Sequence, residues 1–235
     1  MQQPLDAILR DPWQILGMVL DGPLHPGGRE ATETLLDRAG VDEQTRLLDI
    51  GCGAGDSLHV ARERGARAIG LDREPPGTDA VCGDISALPF RDDSFDVVLG
   101  ECVLCLSPAL DQTLGDVNRI LHAGGQLALS DVTVTGDTPD LPPPIDELLC
   151  LDGPRDRDDI CQEIASAGFE IDDVQTHRED LLEMRDRLRE ALDLDRLVDV
   201  LGDRGTQLRD GASQLETAIE AGQVGYVSIV ATSQS

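Results

Sequence analysis

The sequence predicts an α/β protein with a doubly wound, mostly parallel sheet and helical additions near each end. Two observations carry this. Short apolar runs alternate with helical patterns from residue 46 onward, as parallel βαβ units require. A glycine cluster, "DIGCGAGDS", joins the first of those runs to the helix after it.

The elements follow in order. "WQILGMVL" reads as a helix, followed by the Pro/Gly loop "DGPLHPGG". "EATETLLDRAG" is an amphipathic helix closed by Gly40. "RLLDI" is a strand, "DSLHVARERG" a helix closed by Gly65, and "ARAIGLD" and "DAVCGDI" are strands. "SFDVVLGE" is a buried strand, and "LDQTLGDVNRILHAGG" is a helix stopped by Gly124 and Gly125. "QLALSDV" is a strand. The Pro-rich "TVTGDTPDLPPPIDELLCLDGP" is expected to be irregular. "RDRDDICQEIASAGF" is a helix and "EIDDVQTHRED" carries a strand. "LLEMRDRLREALDLDRLVDVLGDRG" has the period of one or two helices, "DGASQLETAIEAG" of one more, and "VGYVSIVATS" closes as a strand. One domain over 1–235 accounts for all of it: a helical cap at 1–40, a ligand-binding core at 41–135, and a lid, helices and closing strand at 136–235.

Composition limits the function. The 235 residues carry a net charge of −27, and every basic residue is Arg. Such a surface repels nucleic acid and anionic membranes. The acids are spread along the chain, which favours a salt-loving host whose ions screen the self-repulsion. No apolar run reaches membrane-span length and no signal pattern opens the chain, so a soluble, cytoplasmic protein is expected. The six cysteines form neither a small disulfide scaffold nor a zinc pattern, and no resident metal is expected.

The glycine turn has the spacing G-x-G-x-G at Gly51, Gly53 and Gly55. A dinucleotide fingerprint needs glycine where Asp56 stands, and a phosphate loop needs a Lys that the chain lacks. Asp49 and the N-cap candidate Asp56 disfavour phosphate and suit an amino group or a sulfonium. Asp72 lies 21 residues after Gly51 at a strand end, where a carboxylate can accept both ribose hydroxyls. Asp84 follows the next strand and could accept from an adenine amino group. Together these favour a nucleoside site.

In "LLDIGCGAG", "IGLD", "CGDISALPFRDDSFDVVLGE" and "DVNRILHAGGQLALSDV" the chain resembles class I S-adenosylmethionine-dependent methyltransferases, most strongly over residues 40–135. The resemblance implies a Rossmann-like, seven-stranded sheet whose last strand, "VGYVSIVATS", is antiparallel. It implies S-adenosylmethionine as cofactor, with Gly51, Gly53 and Gly55 near its methionine part, Asp72 on the ribose, and Asp84 with Ile85 against adenine. Asp49, Cys52, Arg73, Gly83 and Glu101 complete the expected cofactor set.

The acceptor is expected to be a small molecule. "CVLCLSP", "CLDGP" and "SAGF" resemble segments of arsenite methyltransferases, which implies Cys102 and Cys150 as thiolate ligands of trivalent arsenic or a related metalloid. Such enzymes usually carry further N-terminal cysteines, and this chain has none before Cys52. Cys105 could supply a third thiol. The alternatives are another small-molecule acceptor, or a module that binds cofactor and regulates a partner without turnover. His25 is read either as a cover for the cofactor or as a surface histidine, and Glu101 as a cofactor contact or a base. The helices over 178–220 are expected to form a cap or a homodimer surface.

Overall fold

The computed structural model describes residues 23–75, 79–136, 151, 155–191 and 202–234. Among them run α1 (Gly28–Arg38), β1 (Arg46–Ile50), α2 (Asp56–Glu63), β2 (Arg67–Asp72), β3 (Ala80–Cys82), β4 (Phe95–Glu101), a 3₁₀ turn (Leu104–Leu106) and α3 (Leu110–Ile120). There follow β5 (Leu121–Val134), α4 (Arg157–Ser166), β6 (Phe169–Thr176), α5 (Arg178–Ala191), α6 (Asp203–Glu220) and β7 (Val224–Ser233). The sheet has seven strands in the order β3-β2-β1-β4-β5-β7-β6. Pairings from β3 through β5 are parallel, and β7 runs antiparallel to β6. The doubly wound, mostly parallel sheet expected from the sequence is present. "WQILGMVL" lies outside the described residues.

The chain divides into two compact units. The first comprises Gly27–Asp131, Arg157–Thr176 and Val227–Ser235. Its strands alternate side chains between two apolar layers, as the period of two demands. Leu48, Ile50, Val98, Leu127 and Leu129 pack with Leu114, Val117, Ile160 and Ile164 of α3 and α4. Leu47, Val97, Leu99 and Ala128 pack with Leu35 and Leu36 of α1 and Val60 and Ala61 of α2. Both layers are mainly aliphatic, as a chain with 2% aromatic residues requires, and Phe95 and Phe169 lie in the first.

The second unit comprises Met1–Pro26, Val132–Asp156 and His177–Tyr226. In it Arg178 donates to the carbonyls of Ile219 and Glu220 at 2.9 and 3.0 Å, satisfying the end of α6. Arg189 pairs with Glu216 at 3.3 Å. His25 is buried, with Nδ1 3.2 Å from the Pro26 carbonyl oxygen, so it is not a surface histidine.

Three local expectations are corrected. The helix expected to reach Gly125 ends at Ile120, because Leu121 is already extended and pairs with Phe95. From the Phe95–Leu121 pair to the Val97–Gln126 pair, β4 advances two residues and β5 five, so His122–Gly125 bulge out of the strand. Thr133 and Val134 of the expected irregular linker belong to β5, and Val134 bridges to Arg155. The separate helix expected at "DGASQLETAIEAG" is part of α6, which starts at Asp203.

Candidate functional site

The carboxyl ends of β1, β2 and β4 lie in the first unit, and they carry the acids the sequence marked. The turn between β1 and α2 holds Gly51, Gly53 and Gly55 at positive φ. At Gly51 this matters sterically as well: a Cβ there would stand 2.3 Å from Val103 Cγ2. The turn is anchored by Gly51 N–H donating to the Leu71 carbonyl at 2.7 Å. Gly55, at φ 89°, is the N-cap of α2. Asp56 is therefore not the cap; it lies in the first turn, where a carboxylate suits the helix dipole.

Asp72 ends β2, and both its oxygens are engaged by backbone. Oδ2 accepts from Gly53 N–H at 3.0 Å and Oδ1 from Glu74 N–H at 2.9 Å. These bonds aim the carboxylate over the glycine turn and leave it further acceptor lone pairs. Gly83 N–H donates to the Asp72 carbonyl at 2.9 Å, which brings the end of β3 alongside. The exposed Cys82 thiol donates to the carbonyl of Arg73, itself exposed, at 3.3 Å. Asp84 is exposed and accepts from Ser86 N–H and Oγ at 2.9 and 2.7 Å. The backbone bond, then the hydroxyl, holds its carboxyl below the usual carboxylate range. Ile85 packs against the apolar layer under α3.

Asp49 is the unusual group. It is only 3% exposed, and its Oδ2 has no hydrogen-bond partner among the described residues. Burial first, then the charges of Glu101 and Asp72, push its carboxyl well above the ordinary range. Cys52 is buried beside it, its Sγ under Gly70, where a Cβ would come within 2.5 Å. Burial, then Asp49 and Asp72, push that thiol up to about 12. Its side chain is a protonated packing group.

Glu101 ends β4. Its Oε2 accepts from Ser57 Oγ at 2.6 Å, and its two oxygens lie 3.2 and 3.1 Å from Thr32 Oγ1. Sequence reasoning missed both hydroxyls. Ser57 was legible as a polar group in the first turn after the glycines, but Thr32 sits inside an ordinary amphipathic helix and meets Glu101 only through the fold.

Cys102 follows Glu101 at φ 52°, a left-handed conformation that non-glycine residues rarely adopt. Its N–H donates to the Ser130 carbonyl at 2.8 Å, and its half-buried thiol is in no disulfide. The structure does not provide Cys105 as a third free thiol: Cys105 is disulfide-bonded. Cys150 lies outside the described residues. A cavity of about 340 Å³ opens elsewhere, lined among others by Arg38, Gln126 and Asp173, and there Arg38 already pairs with Asp173 at 2.8 Å. Among the described residues no helix is long and apolar enough to cross a membrane.

Comparison with known proteins fits this geometry. Residues 48–129 match the family model described as a methyltransferase domain. The methyltransferase GfsG of Streptomyces halstedii is 31% identical over 152 residues, 54% of this chain and 52% of that protein. The arsenite methyltransferase of Halobacterium salinarum is 33% identical over 150 residues, 54% of this chain and 38% of that protein. The chain thus spans about half or less of the length of these relatives. Among solved structures, the cyclase SpnF superposes with a TM-score of 0.73 at 20% identity, over 97% of this chain and 94% of that one, a likeness of fold alone. With the glycine turn and strand-end acids in place, the match identifies residues 48–129 as a methyltransferase domain.

Proposed function

We propose that the chain is an enzyme that transfers a methyl group from S-adenosylmethionine to a small-molecule acceptor. The observation that carries this is Asp49, a buried acid whose Oδ2 has no partner among the described residues, flanked by the charges of Glu101 and Asp72 beside a glycine turn. A buried acid without a partner is costly, and a cation relieves it. When bound, the cofactor supplies a sulfonium with a transferable methyl group. Asp49 and Glu101 would face its cationic end, with the backbone of Gly51, Cys52, Gly53 and Gly55 close by. Asp72 would accept from the ribose hydroxyls. Arg73, Gly83, Asp84 and Ile85 would lie along the adenosine.

For the acceptor, the same proposal takes trivalent arsenic or a related metalloid held by Cys102 and Cys150. Its support is the position of the Cys102 thiol, in no disulfide, just after the carboxyl end of β4, where open α/β sheets bind ligands, and the Halobacterium salinarum relative. A thiolate-held arsenite presents a lone pair, so no side chain has to remove a proton. The acidic composition supports a cytoplasmic, salt-adapted enzyme, and α5 and α6 supply a surface for a second copy.

The test is product formation from methyl-labelled S-adenosylmethionine and a panel of acceptors under reducing conditions. Methylated arsenic is expected from the wild type. It should be lost in Cys102→Ser and Cys150→Ser, and kept in Cys161→Ser. Methylation of a different acceptor would remove the metalloid alone. Binding without any product would leave a cofactor-binding regulatory module.

A further inference from the structure

Glu101 and Asp49 belong to neighbouring strands of one parallel sheet: Asp49 pairs with Leu99, so Glu101, two residues on, shares its face. A half-buried carboxylate on the same face as a buried one is repelled by it. A glutamate at a strand end has three rotatable bonds with which to swing its charge into water and escape. Here it does not escape, because hydroxyls from two different helices hold it. Ser57, second residue of α2, is 2.6 Å from Oε2, inside the range of a short charge-assisted bond. Thr32, on α1, is 1% exposed. Its Oγ1 lies 3.1 and 3.2 Å from the two carboxylate oxygens, closer than the 3.4 Å to its own helix carbonyl at Gly28. The hydroxyl thus keeps a longer bond to the preceding turn while reaching a carboxylate 69 residues away.

Stability alone does not explain this arrangement. Holding an acid toward a buried acid, one oxygen of which has no partner among the described residues, is unfavourable until a positive charge joins them. We propose that Thr32 and Ser57 are positioning residues that hold Glu101 toward Asp49, so that carboxylates of β1 and β4 form one binding pair for a cationic ligand. The inference rests on the cofactor reading above, and it adds that α1 contributes to affinity without touching the ligand.

The experiment is a double-mutant cycle read by calorimetric titration with S-adenosylmethionine. Thr32→Val and Ser57→Ala should each weaken binding roughly 2- to 10-fold, the range of one net hydrogen bond. Thr32→Ser, which restores the hydroxyl, should restore affinity. In a Glu101→Gln background the same two substitutions should change affinity less than about twofold, because residues acting through one partner are not additive. Ser57 is half-buried in the first turn of its helix, so the Ser57→Ala and Glu101→Gln arm stands if the buried Thr32 variant fails to fold. Wild-type affinity in Ser57→Ala, or losses that persist undiminished in the Glu101→Gln background, would overturn the proposal while the cofactor reading stands. A wild type that does not bind S-adenosylmethionine would overturn both.

Discussion

Replacing Asp49 by Asn should make the protein more stable and less able to bind its cofactor. The side chain is 3% exposed, one oxygen has no partner among the described residues, and Glu101 and Asp72 add like charge. Leaving a buried polar group unsatisfied costs about 1–3 kcal/mol, and more when it is charged. Asn keeps the shape, removes the charge, and can donate toward the neighbouring acids. For a chain of this size about 1 kcal/mol moves the melting temperature by about 2–4 °C, so a rise of about 2–12 °C is expected near neutral pH. The sign has a pH signature. The folded carboxyl binds its proton more tightly than the unfolded one. Its stabilising contribution is complete below the ordinary carboxylate range and is lost as pH rises toward the raised value. The gap between variant and wild type should therefore shrink toward about pH 4 and widen toward about pH 8. Added S-adenosylmethionine should raise the melting temperature of the wild type more than that of the variant, because the bound cation repairs in the wild type what Asn has already removed. The measurement is thermal unfolding across pH, with and without cofactor. An Asn variant that melts below the wild type at every pH, yet gains as much from the cofactor, would refute the assignment of Asp49 as a cation site.

Asp72→Ala removes the acceptor aimed by Gly53 and Glu74, and calorimetry should show affinity falling by about 1.5–3 kcal/mol, or roughly 10- to 150-fold; unchanged affinity would rule out the ribose role. Gly51→Ala places a methyl 2.3 Å from Val103 Cγ2 on a left-handed backbone, so its urea midpoint should report a loss of about 1–3 kcal/mol from overpacking and about 1 more from backbone strain. A midpoint equal to wild type would mean the turn is looser than this geometry. The net charge of −27 should make the melting temperature rise from dilute buffer to molar KCl, as the screening length falls from about 10 Å at 0.1 M to about 3 Å at 1 M; a flat or falling curve would contradict salt adaptation.

The sheet was legible because its signal is local. The central strands β1 and β4 are short apolar runs whose alternate residues feed two layers, so "RLLDI" and "SFDVVLGE" declare themselves. The end of α3 was not, because "NRILHAGG" obeys the rule for a glycine-stopped helix. Pairing of Leu121 with Phe95 overrides that local preference, and Gly124, at φ 78°, serves a bulge instead. The site divides in the same way. That Gly51, Asp72 and Asp84 stand at the ends of successive strands was legible from their order and spacing. The burial of Asp49 depends on α1 and α2 folding over its face of the sheet, and no spacing announces it. The contact of Thr32 with Glu101 joins residues that only the tertiary structure brings together. The oxidation of Cys105 was equally hidden, since a C-x-x-C spacing shows two thiols and not their state.

The central claim is that an acid-lined glycine turn takes a cationic nucleoside rather than a dinucleotide. Equilibrium dialysis of labelled S-adenosylmethionine against the wild-type chain in molar KCl tests it most directly. One saturable site per chain is expected, displaced by the demethylated product and indifferent to nicotinamide adenine dinucleotide. No saturable binding, or displacement by the dinucleotide, would contradict the claim.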